Sequence, residues 1–570
     1  MRMFTARLCA ALVMPAVVVL GAACSSQPEP EQPGFVPVTD AVLQNPEPAD
    51  WLRWRRDNGA SGFSPLDQVT RENVEGLRLA WTREMSTGPQ EPEPLVYRGV
   101  MYLQQRQGKV QALDARTGDL LWEYSRSLPE GMSNMTRNLA IYEDKIFLTT
   151  EDAYLVALDA GTGRLVWEIE NGDPSDRVNY SAGPIAANGK VFAGLTCGTG
   201  TSRACFLSAH DAETGEELWR RESVAGPGDP SEHNGTWNDV PYEQRRKASF
   251  WLTGSYDPDL NLVYWTTASP YPYPELHKGT GDGALLYSNS ILALDADSGA
   301  IRWFFQMEPR DNFDMDHQDN PILADVEIDG AVRKVVYVLG KPGILWALDR
   351  ENGDYLWHQQ LVAYQNLYEH IDPTTGAITM NEALISKEIG DAPLVCPGMR
   401  GGKLFQTDAY NPITNTVYSP VSNECTVFEV VPLDVEVSGV TYDQIEHMQG
   451  TNEQVGRLSA VSAADGQILW TYDQRAALGS VLTTAGGLVF VGDLHRYFRA
   501  LDADTGDVLW ETPLSAPVTG YPISYAADGT QYVAVAVGGN TAGTNHLARL
   551  YPELEAPDGG NALMVFALEN

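Results

Sequence analysis

The sequence predicts an all-β fold, an eight-bladed β-propeller, and three observations lead to it. A turn-and-tryptophan unit recurs down the chain, its tryptophans number eight once a partial copy is counted, and almost no segment sustains a helical period. Repetition at this spacing marks a propeller or a solenoid, and the scarcity of helical pattern favours the propeller.

The unit reads Ala-x-Asp-x-x-Thr-Gly-x-x-x-Trp. Copies run through Ala112, Asp114, Thr117-Gly118 and Trp122; Ala157, Asp159, Thr162-Gly163 and Trp167; and Ala209, Asp211, Thr214-Gly215 and Trp219. They continue at Ala293, Asp295, Ser298-Gly299 and Trp303, then at Ala347, Asp349, Asn352-Gly353 and Trp357. A looser copy holds Ala460, Asp465-Gly466 and Trp470, and the last holds Ala500, Asp502, Thr505-Gly506 and Trp510. Aspartate that bonds backbone amides and glycine with positive φ make Asp-x-x-Thr-Gly a tight turn. Alternating apolar residues on either side make it the link between two antiparallel strands. The tryptophan ends on a half-buried strand against the next unit, and the small alanine leaves room for a neighbouring ring.

Trp81 supplies the eighth tryptophan without a preceding turn, so the two ends of the chain are expected to share a blade. The strand Ala562 to Leu568 then closes the ring against N-terminal strands and leaves no free edge. The intervals Trp219 to Trp303 and Trp357 to Trp470 exceed one blade, and the excess is expected in loops on one face, where a site would lie.

Residues 1–23 read as a signal peptide, with Arg2 and Arg7 ahead of an apolar run from Leu8 to Leu20 that is too short to span a bilayer. Leu20-Gly21-Ala22-Ala23-Cys24 resembles a bacterial lipoprotein cleavage site with Cys24 lipidated, although Gly21 stands where leucine is usual. Soluble export is the alternative. Residues 24–45 read as a polar tether and 46–570 as the propeller. The expected location is the periplasm, anchored to the outer membrane. Acidic residues outnumber basic ones 76 to 39, a net charge of −37. Such a surface repels nucleic acid and anionic lipid heads and attracts a basic partner protein, so the only membrane contact expected is a lipid on Cys24. Cys197, Cys205, Cys396 and Cys425 are an even number in an oxidising compartment, which suggests two disulfides. No Cys-x-x-Cys-His occurs, so no covalently attached haem is expected.

The repeats, from Trp54-Arg55-Arg56-Asp57-Asn58-Gly59 to the final strand, resemble the tryptophan-docking motifs of the quinoprotein alcohol dehydrogenases, the methanol and ethanol dehydrogenase family. Lys247-Ala248-Ser249-Phe250-Trp251 with Gly254-Ser255-Tyr256-Asp257-Pro258 is similar to the family segment that floors the pyrroloquinoline quinone (PQQ), which implies Trp251 as the stacking ring. Arg310-Asp311-Asn312-Phe313-Asp314-Met315-Asp316 resembles the active-site stretch, implying Asp314 as base and Asp316 as a carboxylate that accompanies lanthanide use. Gly340-Lys341-Pro342-Gly343 matches the segment that brings a cation to the quinone oxygens. Arg137 and Ser181 fall where cofactor carboxylates are held, and Cys396 with Cys425 matches a family disulfide. The resemblance implies PQQ with Ca2+ or a lanthanide, an alcohol substrate and a cytochrome c acceptor.

The chain departs from the family pattern mainly at the metal. Thr199, in a loop closed by Cys197 and Cys205, stands for a metal-binding glutamate, and Ser269 for a metal-binding asparagine. Gly131-Met132 replace an adjacent cysteine pair, and Leu478 a second tryptophan. The expected metal ligands are therefore Asp314 and Asp316, with Ser269 and Thr199 as weaker donors. A non-catalytic scaffold lipoprotein is the competing reading; retention of Trp251, Asp314, Asp316 and Lys341 argues against it.

Overall fold

The computed structural model describes residues 35–569 except 89, 130, 131, 133, 134, 136, 199–204, 247, 540, 541, 555, 556 and 558. From Val36 onward the chain forms one unit. Among the described residues eight sheets have four strands or more, one per expected blade. The first runs in order through Leu95–Tyr97, Val100–Gln105, Lys109–Asp114 and Leu120–Ser125. The next five sheets lie between residues 140 and 474. The seventh gains a fifth strand, Phe63–Ser64, parallel to Leu478–Thr484.

The eighth sheet joins the chain ends. Leu77–Glu84 pairs antiparallel with Ala562–Leu568, which is followed in the sheet by Thr530–Val537 and Ile523–Ala527. Trp81 lies opposite Val565. The closing strand is the one expected, and it removes the free edge a linear array would present.

The repeat turn behaves as its residues dictate. Asp114 Oδ1 accepts from the amides of Arg116 (2.8 Å) and Thr117 (3.1 Å), and Gly118 takes φ +77°. The room for the neighbouring ring comes from this glycine, whereas the alanine faces its own blade's tryptophan, Ala112 opposite Trp122. A Cβ on Gly118 would lie 2.6 Å from the Trp81 ring, and one on Gly163 would lie 2.4 Å from Trp122. The indole then bonds across the junction: Trp122 Nε1 donates to the Ala160 carbonyl (3.2 Å) and Trp219 Nε1 to that of Ala296 (3.0 Å).

Ten residues read as tether belong to the folded unit. Val38 exchanges two backbone hydrogen bonds of 2.8 Å with Glu143, and a short helix, Asp40–Gln44, buries Leu43. Asp40 accepts from the Tyr142 hydroxyl and the Asn188 amide, both at 2.7 Å. Burial of Val38 and Leu43 draws this segment onto the second and third blades, a pattern too short to stand out in sequence. Among the described residues no helix is long and apolar enough to cross a membrane. The signal peptide and Cys24 lie outside the described residues.

The long intervals hold loops with little regular structure. Residues 223–254 and 267–289 fill the first, and 361–408 and 423–455 fill the second.

Gly163→Ala tests the docking. The added methyl has no space against Trp122 and the backbone stays left-handed, so unfolding free energy falls by about 1–3 kcal/mol. Urea denaturation checks it; an unchanged midpoint would contradict the packing described.

Candidate active site

A cavity of about 250 Å3 is lined by residues from both long intervals and from loops between blades. Trp251 is its flat, partly exposed wall. The indole edge is pinned because Nε1 donates to Asp316 Oδ2 at 3.0 Å. The backbone behind it is held as well: the Trp251 carbonyl accepts from Ser181 Oγ at 3.0 Å and from Arg137 Nη1 at 3.4 Å. Arg137 lies 5.4 Å from the ring centroid, within cation–π range. It is itself buried, pairs with Glu91 at 2.6 Å and donates to the Ser181 carbonyl at 2.7 Å.

The acidic part of the lining is shaped by Asp311. Its Oδ1 accepts from the Phe313 amide (2.9 Å), and its Oδ2 from the Met315 amide (3.1 Å) and from Ser269 Oγ. This turn holds Asp314 at φ +58°, a left-handed conformation that aspartate tolerates better than most residues. Lys341 meets both parts of Asp314, Oδ2 at 2.9 Å and the carbonyl oxygen at 2.8 Å, and reaches Asp316 Oδ2 at 3.3 Å. Asp316 Oδ1 accepts from the Ser269 amide at 2.7 Å.

Lys341 sits in the bend between the strands Ala331–Leu339 and Ile344–Asp349, and only 2% of it is exposed. A Cβ on Gly402 would lie 1.8 Å from the Lys341 carbonyl oxygen, so the loop carrying Arg400 abuts this bend at backbone contact. Glu424 anchors that loop by accepting from the Arg400 amide (3.0 Å) and from Thr426 Oγ1 (2.9 Å). Burial pushes the Asp314 carboxyl up to about 7; the Lys341 ammonium opposes that rise and the Asp316 charge adds to it.

Of the residues singled out in the sequence, Arg137, Ser181, Trp251, Ser269, Asp314, Asp316 and Lys341 all line this one cavity. Thr199 and Gly131 lie outside the described residues. Leu478 packs with Val481 and Val491 in a blade core. Cys197 pairs with Cys205 and Cys396 with Cys425; Cys197 lines the cavity. The sequence reading missed Glu91, Arg400, Tyr271, Tyr273 and Tyr442, which line it too. The run Tyr271-Pro272-Tyr273-Pro274 was a usable signal, being aromatic and extended in a long interval. Glu91 and Arg400 carried none.

A family model described as the β-propeller domain of glucose/ethanol/alcohol dehydrogenases, PQQ, matches residues 51–374 and 454–533. The chain belongs to this family. It is 31% identical to the quinoprotein alcohol dehydrogenase PedH of Pseudomonas putida, over 84% of each chain. It is also 31% identical to a lupanine 17-hydroxylase [cytochrome c] of a Pseudomonas species, over 91% of this chain and 77% of that one. Among solved structures a europium-containing methanol dehydrogenase superposes with a TM-score of 0.86 at 27% identity, covering 93% of this chain and all of the other.

The walls fit the family's quinone, a planar polyanion. Trp251 offers a stacking face, and Arg137, Arg400 and Lys341 offer charge. Arg137 and Arg400 each bury an Nε that has no partner, and the Arg400 guanidinium makes no hydrogen bond or ion pair with a described residue.

The described walls are a poor fit to a metal ion held by protein ligands alone, and Thr199, one of the four expected donors, lies outside them. Among the described residues no three Asp, Glu, His or Cys side chains cluster as a metal site. Ca2+ asks for six to eight oxygens, whereas Ser269 Oγ, an uncharged donor at best, already donates to Asp311 and accepts from Asn289 at 3.1 Å. Asp314 and Asp316 converge on an ammonium instead.

Glu424→Gln tests the anchoring loop. Burial lifts the Glu424 carboxyl from an ordinary 4.5 to about 7, partly offset by Thr426 and the Arg400 amide. Between those values the folded chain binds the extra proton, so this group makes stability fall as pH rises through the window. The parent is expected to lose more Tm than the variant between about pH 5 and 8; equal losses would contradict the burial.

Proposed function

We propose that this protein is a PQQ-dependent alcohol dehydrogenase that works after export to the periplasm, tethered by a lipid on Cys24, and passes electrons to a cytochrome c. The observation that carries the reading is the convergence of Trp251, Arg137, Lys341 and Asp314 on one cavity. A scaffold needs no such convergence of buried charge.

PQQ supplies a carbonyl-bearing ring that accepts a hydride equivalent. Trp251 would stack against it; Arg137, Arg400 and Ser181 would hold its carboxylates, and Lys341 would sit beside its oxygens. Asp314 takes the substrate hydroxyl proton. Its turn and the Lys341 contact fix the carboxylate in place before any substrate arrives, and pre-positioning of this kind is worth a large part of a barrier. Tyr271, Tyr273 and Tyr442 line the same space, and their aromatic bulk suits an apolar alcohol. The acidic surface would draw a basic cytochrome.

Apoprotein mixed with PQQ should quench tryptophan fluorescence and oxidise an alcohol panel in a dye-linked assay. Asp314→Asn should cut kcat by about 100-fold or more while quinone binding persists. Loss of binding together with turnover in that variant would mean that Asp314 is not the base.

The pH profile supplies a second check. Asp314 must be ionised to take a proton, and it faces Lys341, Asp316, Tyr271, Tyr273 and Tyr442 within a buried wall. With the carboxyl near 7, kcat/KM should rise with pH up to that region, by about tenfold per unit on the acid side. A profile flat down to the ordinary carboxylate range would refute the assignment.

A further inference from the structure

We infer that Lys341 is the resident cation of this active site: its ammonium occupies the place between Asp314 and Asp316 that a metal ion would take, and the cavity binds its quinone without one. The inference rests on the quinone reading above and concerns how that cavity is charged.

An ammonium has three N–H donors, and three acceptors surround Lys341 Nζ. They are Asp314 Oδ2 at 2.9 Å, the Asp314 carbonyl at 2.8 Å and Asp316 Oδ2 at 3.3 Å. The donor set is complete, which is how a buried lysine stays charged. Asp316 is committed elsewhere as well, since it also accepts from the Ser269 amide and from the Trp251 indole. A metal drawn to this pair would have to displace a buried ammonium and leave it only the Asp314 carbonyl among its three acceptors.

The charge count points the same way. Cages for divalent cations gain affinity from ligand charge, which means surplus carboxylate. Here Glu91, Asp314 and Asp316 face Arg137, Lys341 and Arg400, three against three among the described lining residues. The family resemblance would put a further metal-ligating carboxylate in the loop of Thr199. Its segment Gly198-Thr199-Gly200-Thr201-Ser202-Arg203-Ala204 contains no acid, amide or imidazole side chain and brings an arginine. Lys341 therefore supplies through its charge, with its N–H groups held by the two aspartates, the positive field beside the quinone that a Lewis acid would supply by coordination.

The experiment uses full-length protein prepared and dialysed with a chelator, then mixed with PQQ alone, with PQQ and Ca2+, or with PQQ and La3+. Quinone binding is read by fluorescence quenching, bound metal by plasma mass spectrometry, and turnover by the dye-linked assay. The parent is expected to bind quinone and turn over with substoichiometric metal, and to gain nothing from either ion. Lys341→Met, checked for an unchanged far-ultraviolet spectrum, should bind metal-free quinone about 10- to 100-fold more weakly, the loss of one buried positive charge beside a polyanion. It should recover affinity when La3+ fills the vacated carboxylate pair, whereas Lys341→Arg keeps metal-free binding. A parent that binds quinone only with added ion, at one metal per chain, overturns the inference and leaves the quinone reading intact. Absence of quinone binding in all three mixtures removes both.

Discussion

The whole molecule depends on an indole lying over a glycine. Seven of the eight repeat tryptophans lie against a positive-φ glycine in the turn of the next blade, and the eighth, Trp510, meets Phe566 of the closing strand at 5.5 Å between ring centroids. Because each blade packs on the next in this way, a ring is the arrangement that leaves fewest faces bare. The ends must then meet, and the pairing of Leu77–Glu84 with Ala562–Leu568 makes that junction with backbone hydrogen bonds. The hydrophobic term is large at each contact, since an indole buries about 150–250 Å2.

A frame of this kind can afford irregular loops. The turns that build the active site carry a left-handed aspartate, backbone contacts with no room for a methyl, and several buried charges, features that a flexible support would not hold. Asp311 ties one turn to Ser269, Glu424 ties another through the Arg400 amide, and Gly402 brings the second against Lys341. The loops brace one another as much as the blades brace them.

The electrostatics follow from that bracing. Ions taken out of water survive only when paired and hydrogen-bonded, and the cavity satisfies this with Glu91 on Arg137 and with Asp314 and Asp316 on Lys341. Arg400 is the exception, a cation with no described partner, and it faces the space where a polyanion would lie. The same rule separates this site from a metal cage. Asp314 and Asp316 both converge on one ammonium, that of Lys341.

The sequence by itself pointed to eight sheets, to the closing strand and to seven candidate site residues that line one cavity. Those features are written locally: Asp-x-x-Thr-Gly must turn, a recurring tryptophan must find a recurring partner, and Trp251, Asp314 and Lys341 sit in contiguous motifs. It misjudged the alanine and the glycine of the repeat, because alternation along a strand does not reveal which neighbour fills a given space. It also read Val38 and Leu43 as tether, because two apolar residues make no period. Only the tertiary structure decided that Glu91 and Arg400, far apart in the chain, share one wall with Lys341, and that Lys341 stands between the two aspartates. Charge pairing depends on distances of a few ångströms, and those are set by how loops fold over the ring, which no local pattern of residues encodes.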